Sequence, residues 1–355
     1  MEVPGSTSAL HGRVGGMPNT NNIKSSVNEY KTRRTSDIGL LKSTLLPSLG
    51  LNTSLSALSY LLSLSTNRVE IKDCFWGGNQ VVNVWWTALG KPICQSNLTV
   101  AKAWNNLSWT EKLLLFSVSL WGTRLLYRVA SRGIRRTRSG KGNDDPRYTK
   151  VKKQYGFWKT AFWKLYLPEA VFQSVIALPF TIPFRGGGTV PPTGNGRFQD
   201  IARAVGVGFF GVGFALEVLA DVQLSCYRGS GLQRGGVWSI VRHPNYLGDI
   251  IIHSSFAILS LAESFHPVVL LGPLANYVFL RCVGGDKENE AYQEDRYKHH
   301  NEEKYRDLQE SKRQKNSVWP HLRELANPWT WAVVGCGAAV AFLEEVAKGW
   351  YEGLS

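Results

Sequence analysis

The stretch Gly-Gly-Val-Trp-Ser-Ile-Val-Arg-His-Pro-Asn-Tyr-Leu-Gly-Asp, residues 235–249, places a cluster of polar side chains directly before the apolar run 250–252. The polar members are Arg242, His243, Asn245, Tyr246 and Asp249. A proline excludes a helix interior at its own position and favours an extended residue before it, which predicts a polar loop leading into an apolar helix. If that helix lies in a membrane, such polar groups are costly and usually functional. Ordinary anchors at a helix start are the alternative.

Apolar segments recur along the whole chain of 355 residues, which is 43% hydrophobic and 19% charged. A helix needs about 20 apolar residues to cross a bilayer. The candidate spans are residues 38–64, 74–92, 113–130, 161–184, 201–224, 250–263, 268–284 and 329–346. Open sheets cannot satisfy their backbone in lipid. The pattern therefore predicts an all-α fold, a multi-pass transmembrane helical bundle of roughly seven or eight spans.

Composition divides the chain into three parts. Residues 1–37 are rich in Ser, Asn, Thr and Gly without apolar periodicity, which predicts a disordered arm. Residues 38–325 hold most of the apolar segments and form the predicted transmembrane domain. Residues 326–355 add one extra C-terminal helix.

The net charge of +14 is concentrated in one place. Between Arg124 and Lys159 there are twelve Lys or Arg residues and only two acids, Asp144 and Asp145. Beside apolar spans, such a segment indicates a cytoplasmic loop. No nucleic-acid-binding module accompanies it, so no nucleic acid partner is expected. The five cysteines have no metal-ligand spacing, and no metal site is predicted.

Two acids, Glu217 and Asp221, lie four residues apart inside the apolar segment 201–224, and Arg228 follows. This spacing predicts a polar stripe on one helix face, with Asp221 paired to Arg228. The stripe could contact a polar ligand, with Arg228 and Arg242 binding a phosphate, or it could be a structural ion pair between helices. The glycines of residues 206–211 match a dinucleotide fingerprint, but no strand precedes them, so close helix packing is the better interpretation.

Several motifs together resemble the integral-membrane family grouped with the steroid 5-alpha-reductase C-terminal domain, in its bacterial and fungal branch. They are Asp73-Cys-Phe-Trp76-Gly77, Leu120-Trp121-Gly-Thr-Arg124-Leu, Gly156-Phe157-Trp158, Glu217-x-x-Ala-Asp221-x-Gln223 and the stretch from Gly236 to Asp249. The resemblance covers about residues 73–320. The sequence Arg242-His243-Pro244 is also similar to sterol reductases and isoprenylcysteine methyltransferases.

The resemblance implies a membrane reductase, expected in the endoplasmic reticulum, that uses NADPH to reduce a carbon–carbon double bond. Its partners would be a lipophilic, sterol- or enone-like substrate and the membrane lipids. The residues expected to bind the cofactor are Glu217, Asp221, Arg228, Arg242, His243, Asn245, Asp249 and Tyr305. Tyr246 is the candidate catalytic proton donor. Asp249 stands where the family more often has Glu.

Two other functions remain open at the sequence level. A methyltransferase using S-adenosylmethionine shares the Arg-His-Pro-x-Tyr pattern, although that family typically has adjacent glutamates after the arginine that corresponds to Arg281. Here the following residues are Cys-Val-Gly-Gly-Asp-Lys-Glu. A non-catalytic membrane scaffold is the third possibility. Likewise, the segment around Tyr305 could close over a cofactor or form a solvated charged helix.

Overall fold

The computed structural model describes residues 37–140, 144–185, 196–264 and 266–354. The structure is 84% helical, and no strand occurs among these residues. The all-α prediction is therefore confirmed. Residues 1–42 form one unit and residues 43–355 another. In the first unit, the predicted disordered arm lies almost wholly outside the described residues, and Asp37–Leu40 is a short helix.

Ten helices of eight residues or more occur in the described part of residues 43–355. In chain order they are α1 (Leu46–Thr66), α2 (Ile71–Trp85), α3 (Trp109–Arg138), α4 (Leu167–Ile176), α5 (Gly196–Cys226), α6 (Pro244–Glu263), α7 (Leu271–Val278), α8 (Asp286–His300), α9 (Glu302–Gln314) and α10 (Pro328–Leu354). Shorter helical segments and π-helical turns connect several of them.

Four helical stretches are long and apolar enough to cross a membrane, which supports a helical membrane protein. They are α3, α5, the run Pro267–His300 that contains α7 and α8, and α10 up to Gly353. The predicted count of seven or eight spans is not confirmed by these four. The basic segment that begins at Arg124 is still helical up to Arg138, so only its second half forms a connection.

The buried face of α1 is polar, which is unusual for an apolar bundle. We call it the serine face, and it consists of Ser48, Asn52, Ser56, Ser59 and Ser63. The Ser48 hydroxyl donates to Asn83 of α2 at 3.3 Å. The Asn52 amide donates to the Ser174 hydroxyl of α4 at 3.1 Å. Hydrogen bonds between polar side chains therefore hold α1 against α2 and α4, as in many membrane helix interfaces.

Helix α5 lies between α6 and α10, and glycines permit its close approach to both. A Cβ atom added at Gly206 would lie 2.8 Å from Leu259 of α6. One added at Gly211 would lie 2.9 Å from the Cα atom of Gly337 in α10. The glycines at residues 206–211 thus serve helix packing, as the missing strand predicted.

Gly337→Val is expected to destabilise the protein by about 1–3 kcal/mol, because overpacking forces backbones apart. The added Cβ would lie 2.5 Å from the carbonyl oxygen of Gly208. Gly349→Val is the matched control on the same helix, since a Cβ there meets nothing within 4 Å. Thermal unfolding in detergent measures both. Equal melting temperatures for the two variants would contradict the close packing of α10 on α5.

Candidate functional site

A cavity of about 1330 Å³ lies where the ends of α2, α3, α5, α6 and α8 meet. Seven of the nine predicted site residues line it, namely Glu217, Asp221, Arg242, His243, Asn245, Tyr246 and Asp249. Arg228 and Tyr305, both in the described part of the chain, do not. The sequence stretch 235–249 and the acids of α5 therefore face one common space.

The predicted pair between Asp221 and Arg228 is wrong. Helix α5 ends at Cys226, so Arg228 leaves the helical face, and its exposed guanidinium donates to the carbonyl oxygen of Ser225. Asp221 instead forms ion pairs with Arg124 and Arg128 of α3. Arg124 also pairs with Glu217, which is only 4% exposed. The two acids thus form an interhelical ion-pair network that is also part of the cavity wall.

Asp249 holds the cavity wall together from α6. Its Oδ1 atom accepts a hydrogen bond from the Trp121 indole at 3.0 Å, and its Oδ2 atom accepts one from the Asn276 amide at 2.9 Å. These donors come from α3 and α7. Both oxygens are therefore engaged by the protein, and Asp249 positions three helices around the cavity.

The Arg242–His243 pair is organised by Glu290 of α8, a residue that sequence reasoning missed. The Arg242 guanidinium lies 2.9 Å from a Glu290 oxygen, and His243 Nε2 lies 2.8 Å from the same Oε1 atom. The backbone N–H groups of Arg242 and His243 donate to Asn316 and Ser317 at 3.2 and 2.9 Å. The charge of Arg242 is thus already balanced in part, which reduces its share in binding an anion.

Tyr246 follows this pair at the start of α6. Its ring stacks on the His243 imidazole with a centroid distance of 5.2 Å and an interplanar angle of 29°. The charged segment that follows α7 forms two helices that meet at Asn301, rather than one. For this reason α8 adds Tyr292 and Tyr297 to the cavity lining, beside Tyr148 and Tyr246, and Tyr305 of α9 lies outside it.

One wall of the cavity is a row of arginines on α3. We call it the arginine ladder, and it consists of Arg124, Arg128, Arg132 and Arg135. The spacing of four, four and three residues puts all of them on one helix face. Arg124 and Arg128 have close carboxylate partners, whereas Arg132 lies 3.7 Å from Asp145 and Arg135 donates only to a backbone carbonyl in the described structure. Positive charge is therefore least compensated towards Arg135.

A second polar group lies on the rim, in the connection after α3. The Tyr148 hydroxyl donates to Asp73 at 2.8 Å, and Arg147 donates to the same carboxylate at 3.0 Å. Burial, and then the neighbouring Asp73 charge, raises the pKa of Tyr148 well above its usual range. Burial opposes ionisation of Asp145, but its hydrogen bond to Arg147 and the arginine charge outweigh burial and lower the pKa of that carboxyl. The raised pKa of Tyr148 keeps its hydroxyl protonated at neutral pH, and the lowered pKa of Asp145 keeps that carboxyl ionised.

The remaining wall is apolar and aromatic. Trp76 of α2 stacks on Phe279 with ring centroids 4.2 Å apart. Phe279 begins a π-helical turn, Phe279–Val283, that continues α7. Such turns are frequent at functional sites because they redirect side chains. The cavity lining therefore combines charged and aromatic groups.

The sequence motifs that are far apart in the chain pack against one another here. A Cβ at Gly77 would lie 2.6 Å from the carbonyl oxygen of Gly122, so these two motifs touch backbone to backbone. The side-chain oxygen of Gln223 accepts a hydrogen bond from the backbone N–H of Val237 at 2.9 Å. The preceding residue, Gly236, has a left-handed backbone conformation with a φ of 66°. Their joint occurrence in the sequence has a structural reason, because each motif supports the next around the cavity.

Comparison with known families agrees with this convergence. Residues 59–312 match the family described as "Protein of unknown function (DUF1295)". The chain belongs to the DUF1295 family. DUF1295 is a membrane steroid reductase-like group, and the region matched contains all of the motifs that line the cavity. Helix α10 lies outside the DUF1295 region. No curated protein and no solved structure matches the chain.

Proposed function

We propose that this DUF1295 protein is an NADPH-dependent membrane reductase of a carbon–carbon double bond in a lipophilic, sterol- or enone-like substrate. The observation that carries the proposal is the cavity itself, where the polar residues of α5 and α6 face the arginine ladder and an aromatic wall. We place it with the steroid 5-alpha-reductase C-terminal grouping, in an endoplasmic-reticulum type membrane. Helices α1, α2, α4 and α6 would complete a bundle of roughly seven or eight spans.

The residues present fit a dinucleotide with several phosphates. Arginine forks suit phosphate oxygens, and the charge of the ladder is least balanced by acids at Arg132 and Arg135. Arg132 and Arg135 would hold the phosphates in place of Arg228, which lies outside the cavity. Asn245 is half-buried in the lining and would orient the amide or ribose groups.

The size of the cavity accommodates two molecules. Small-molecule pockets usually measure about 300–1,000 Å³, and this one measures about 1330 Å³. The wall with Trp76 and Phe279 would take the lipophilic substrate, whereas the arginine ladder would take the nucleotide. Bound together, the two would exclude water from the reacting atoms.

When bound, NADPH would supply the hydride for the electron-poor carbon of the double bond. Tyr246 is the group we propose to donate the proton to the other carbon. Its ring is held by the stack on His243, and Glu290 in turn holds that imidazole. Glu290 is therefore a positioning residue in the proposed reaction.

The proposal is tested by titrating the purified full-length protein in detergent with NADPH and, separately, with S-adenosylmethionine. We expect NADPH to bind saturably, as monitored by nicotinamide fluorescence. We expect calorimetry to detect no binding of S-adenosylmethionine. The arginine-rich lining disfavours a sulfonium cation. Binding of S-adenosylmethionine alone would instead support the methyltransferase, and binding of neither ligand would support a scaffold without chemistry.

A further inference from the structure

A second, smaller cavity of about 290 Å³ shares Arg242 with the first. Five of its lining residues are cationic, namely Arg242, Arg281, Lys312, Arg313 and Lys315. His321 also lines it, and no described acid does. Three of the cations have carboxylate partners elsewhere, since Arg242 pairs with Glu290, Arg281 with Asp286 and Lys312 with Glu294.

Arg313 and Lys315 have no carboxylate within ion-pair distance in the described part of the chain. The Lys315 ammonium has only a weak contact of 3.4 Å to the carbonyl oxygen of Trp238. Burial lowers the pKa of Lys315 more than the nearby Glu324 charge raises it. The cavity therefore concentrates positive charge that the protein itself does not balance, which favours an anion.

The position of this cavity relates it to the membrane surface. Arg281 lies near the end of the apolar helical run that begins at Pro267, and α10 enters the next apolar stretch at Pro328. Residues that line the cavity thus lie near the end of one apolar stretch and shortly before the next, which suits a position near the membrane surface. Basic pockets at this level on the cytoplasmic side are suited to lipid head groups.

The segment between the cavity and α10 has the side chains of an interfacial anchor. Trp319, Leu322 and Leu325 are 53%, 86% and 60% exposed. The Trp319 indole donates to the Tyr277 hydroxyl of α7 at 3.3 Å, which fixes the segment next to a membrane helix. Exposed aromatic and aliphatic groups at a membrane boundary enter the acyl region. They would lie beside the chains of a lipid whose head group occupies the cavity.

We propose that this cavity binds the phosphate-bearing head group of an anionic phospholipid. The site is distinct from the proposed nucleotide cavity, although Arg242 lines both. The shared chemistry is a phosphate, and the apolar anchor beside the cavity selects a lipid over a free phosphate. The proposal does not depend on the reductase function.

The test is native mass spectrometry of the delipidated full-length protein, titrated with phosphatidylserine, phosphatidylcholine, inorganic phosphate or NADPH. We expect one phosphatidylserine to bind preferentially, and neither inorganic phosphate nor NADPH to displace it. The double variant Arg313→Gln/Lys315→Gln should bind phosphatidylserine about thirty-fold more weakly. Each cation near a membrane surface contributes about 1 kcal/mol, roughly a five-fold factor, and the two factors multiply.

Lys298→Gln/Arg306→Gln is the matched control, because it removes the same charge from exposed residues of α8 and α9 that line neither cavity. Its affinity for phosphatidylserine should equal that of the wild type. The proposal is overturned if both double variants weaken binding equally, if phosphatidylcholine binds as well, or if inorganic phosphate or NADPH displaces the lipid.

Discussion

Arg124→Met is expected to lower the free energy of unfolding by about 3–5 kcal/mol, the usual effect of removing one partner from a buried ion pair. Arg124 pairs with both Glu217 and Asp221, and its side chain is only 16% exposed. Without it, Glu217 loses its close cationic partner while it remains buried. Denaturant titration in detergent measures the loss.

Two further variants separate charge from packing. Arg124→Met/Glu217→Gln/Asp221→Asn should recover most of the loss, because no buried carboxylate is then left without a partner. Arg138→Met, at the exposed end of the same helix, should change the stability by no more than about 0.5 kcal/mol. If the triple variant were as unstable as Arg124→Met, the loss would come from packing and not from unpaired charge.

The double variant Arg132→Gln/Arg135→Gln is expected to raise the Kd for NADPH by at least about a hundred-fold. A hydrogen bond to a charged group contributes about 1.5–3 kcal/mol, and two such contacts to phosphate are removed. Both residues line the cavity; the only carboxylate near Arg132 in the described structure is Asp145 at 3.7 Å, and Arg135 has no ion pair there. The variant should keep its melting temperature, since no strong ion pair is lost. Nicotinamide fluorescence measures the affinity.

Arg228→Gln is the matched control, because it removes an exposed arginine that does not line the cavity. We expect it to bind NADPH like the wild type. Comparing the two variants decides which arginines bind the phosphates. Sequence spacing assigns them to Arg228, whereas the position of the arginine ladder assigns them to Arg132 and Arg135. Weaker binding by Arg228→Gln, with unchanged binding by the α3 variant, would restore the first assignment.

The sequence is sufficient to predict the helical class, and seven of the nine site residues predicted from it line the cavity. Apolar runs and the polar stretch after Gly235 carry local information, since each is read from neighbouring residues. Asn245, Tyr246 and Asp249 line the cavity because a loop and the first turns of one helix keep them together. The glycines of α5 are likewise predicted to serve helix packing, because no strand precedes them in the sequence.

The ion-pair partners of the site residues could not be predicted from neighbouring residues in the same way. The pairing of Asp221 with Arg228 assumed that the helix continues, whereas it ends at Cys226. Asp221 pairs instead with Arg124 and Arg128, and Arg124 lies 97 residues earlier in the chain. Its signal was present, because arginines at helical spacing end an otherwise apolar segment and need acids nearby. Glu290 gave no such signal, since it is one acid among many in a charged segment.

The serine face of α1 has a consequence for how the protein reaches its membrane. Helix α1 is 21 residues long but is not among the four described stretches apolar enough to insert alone. Polar residues weaken translocon-mediated insertion of an isolated helix. Its hydrogen-bonding partner Ser174 is synthesised more than a hundred residues later. We expect α1 to remain at the translocon until α4 emerges, so that the N-terminal part integrates as a group rather than helix by helix.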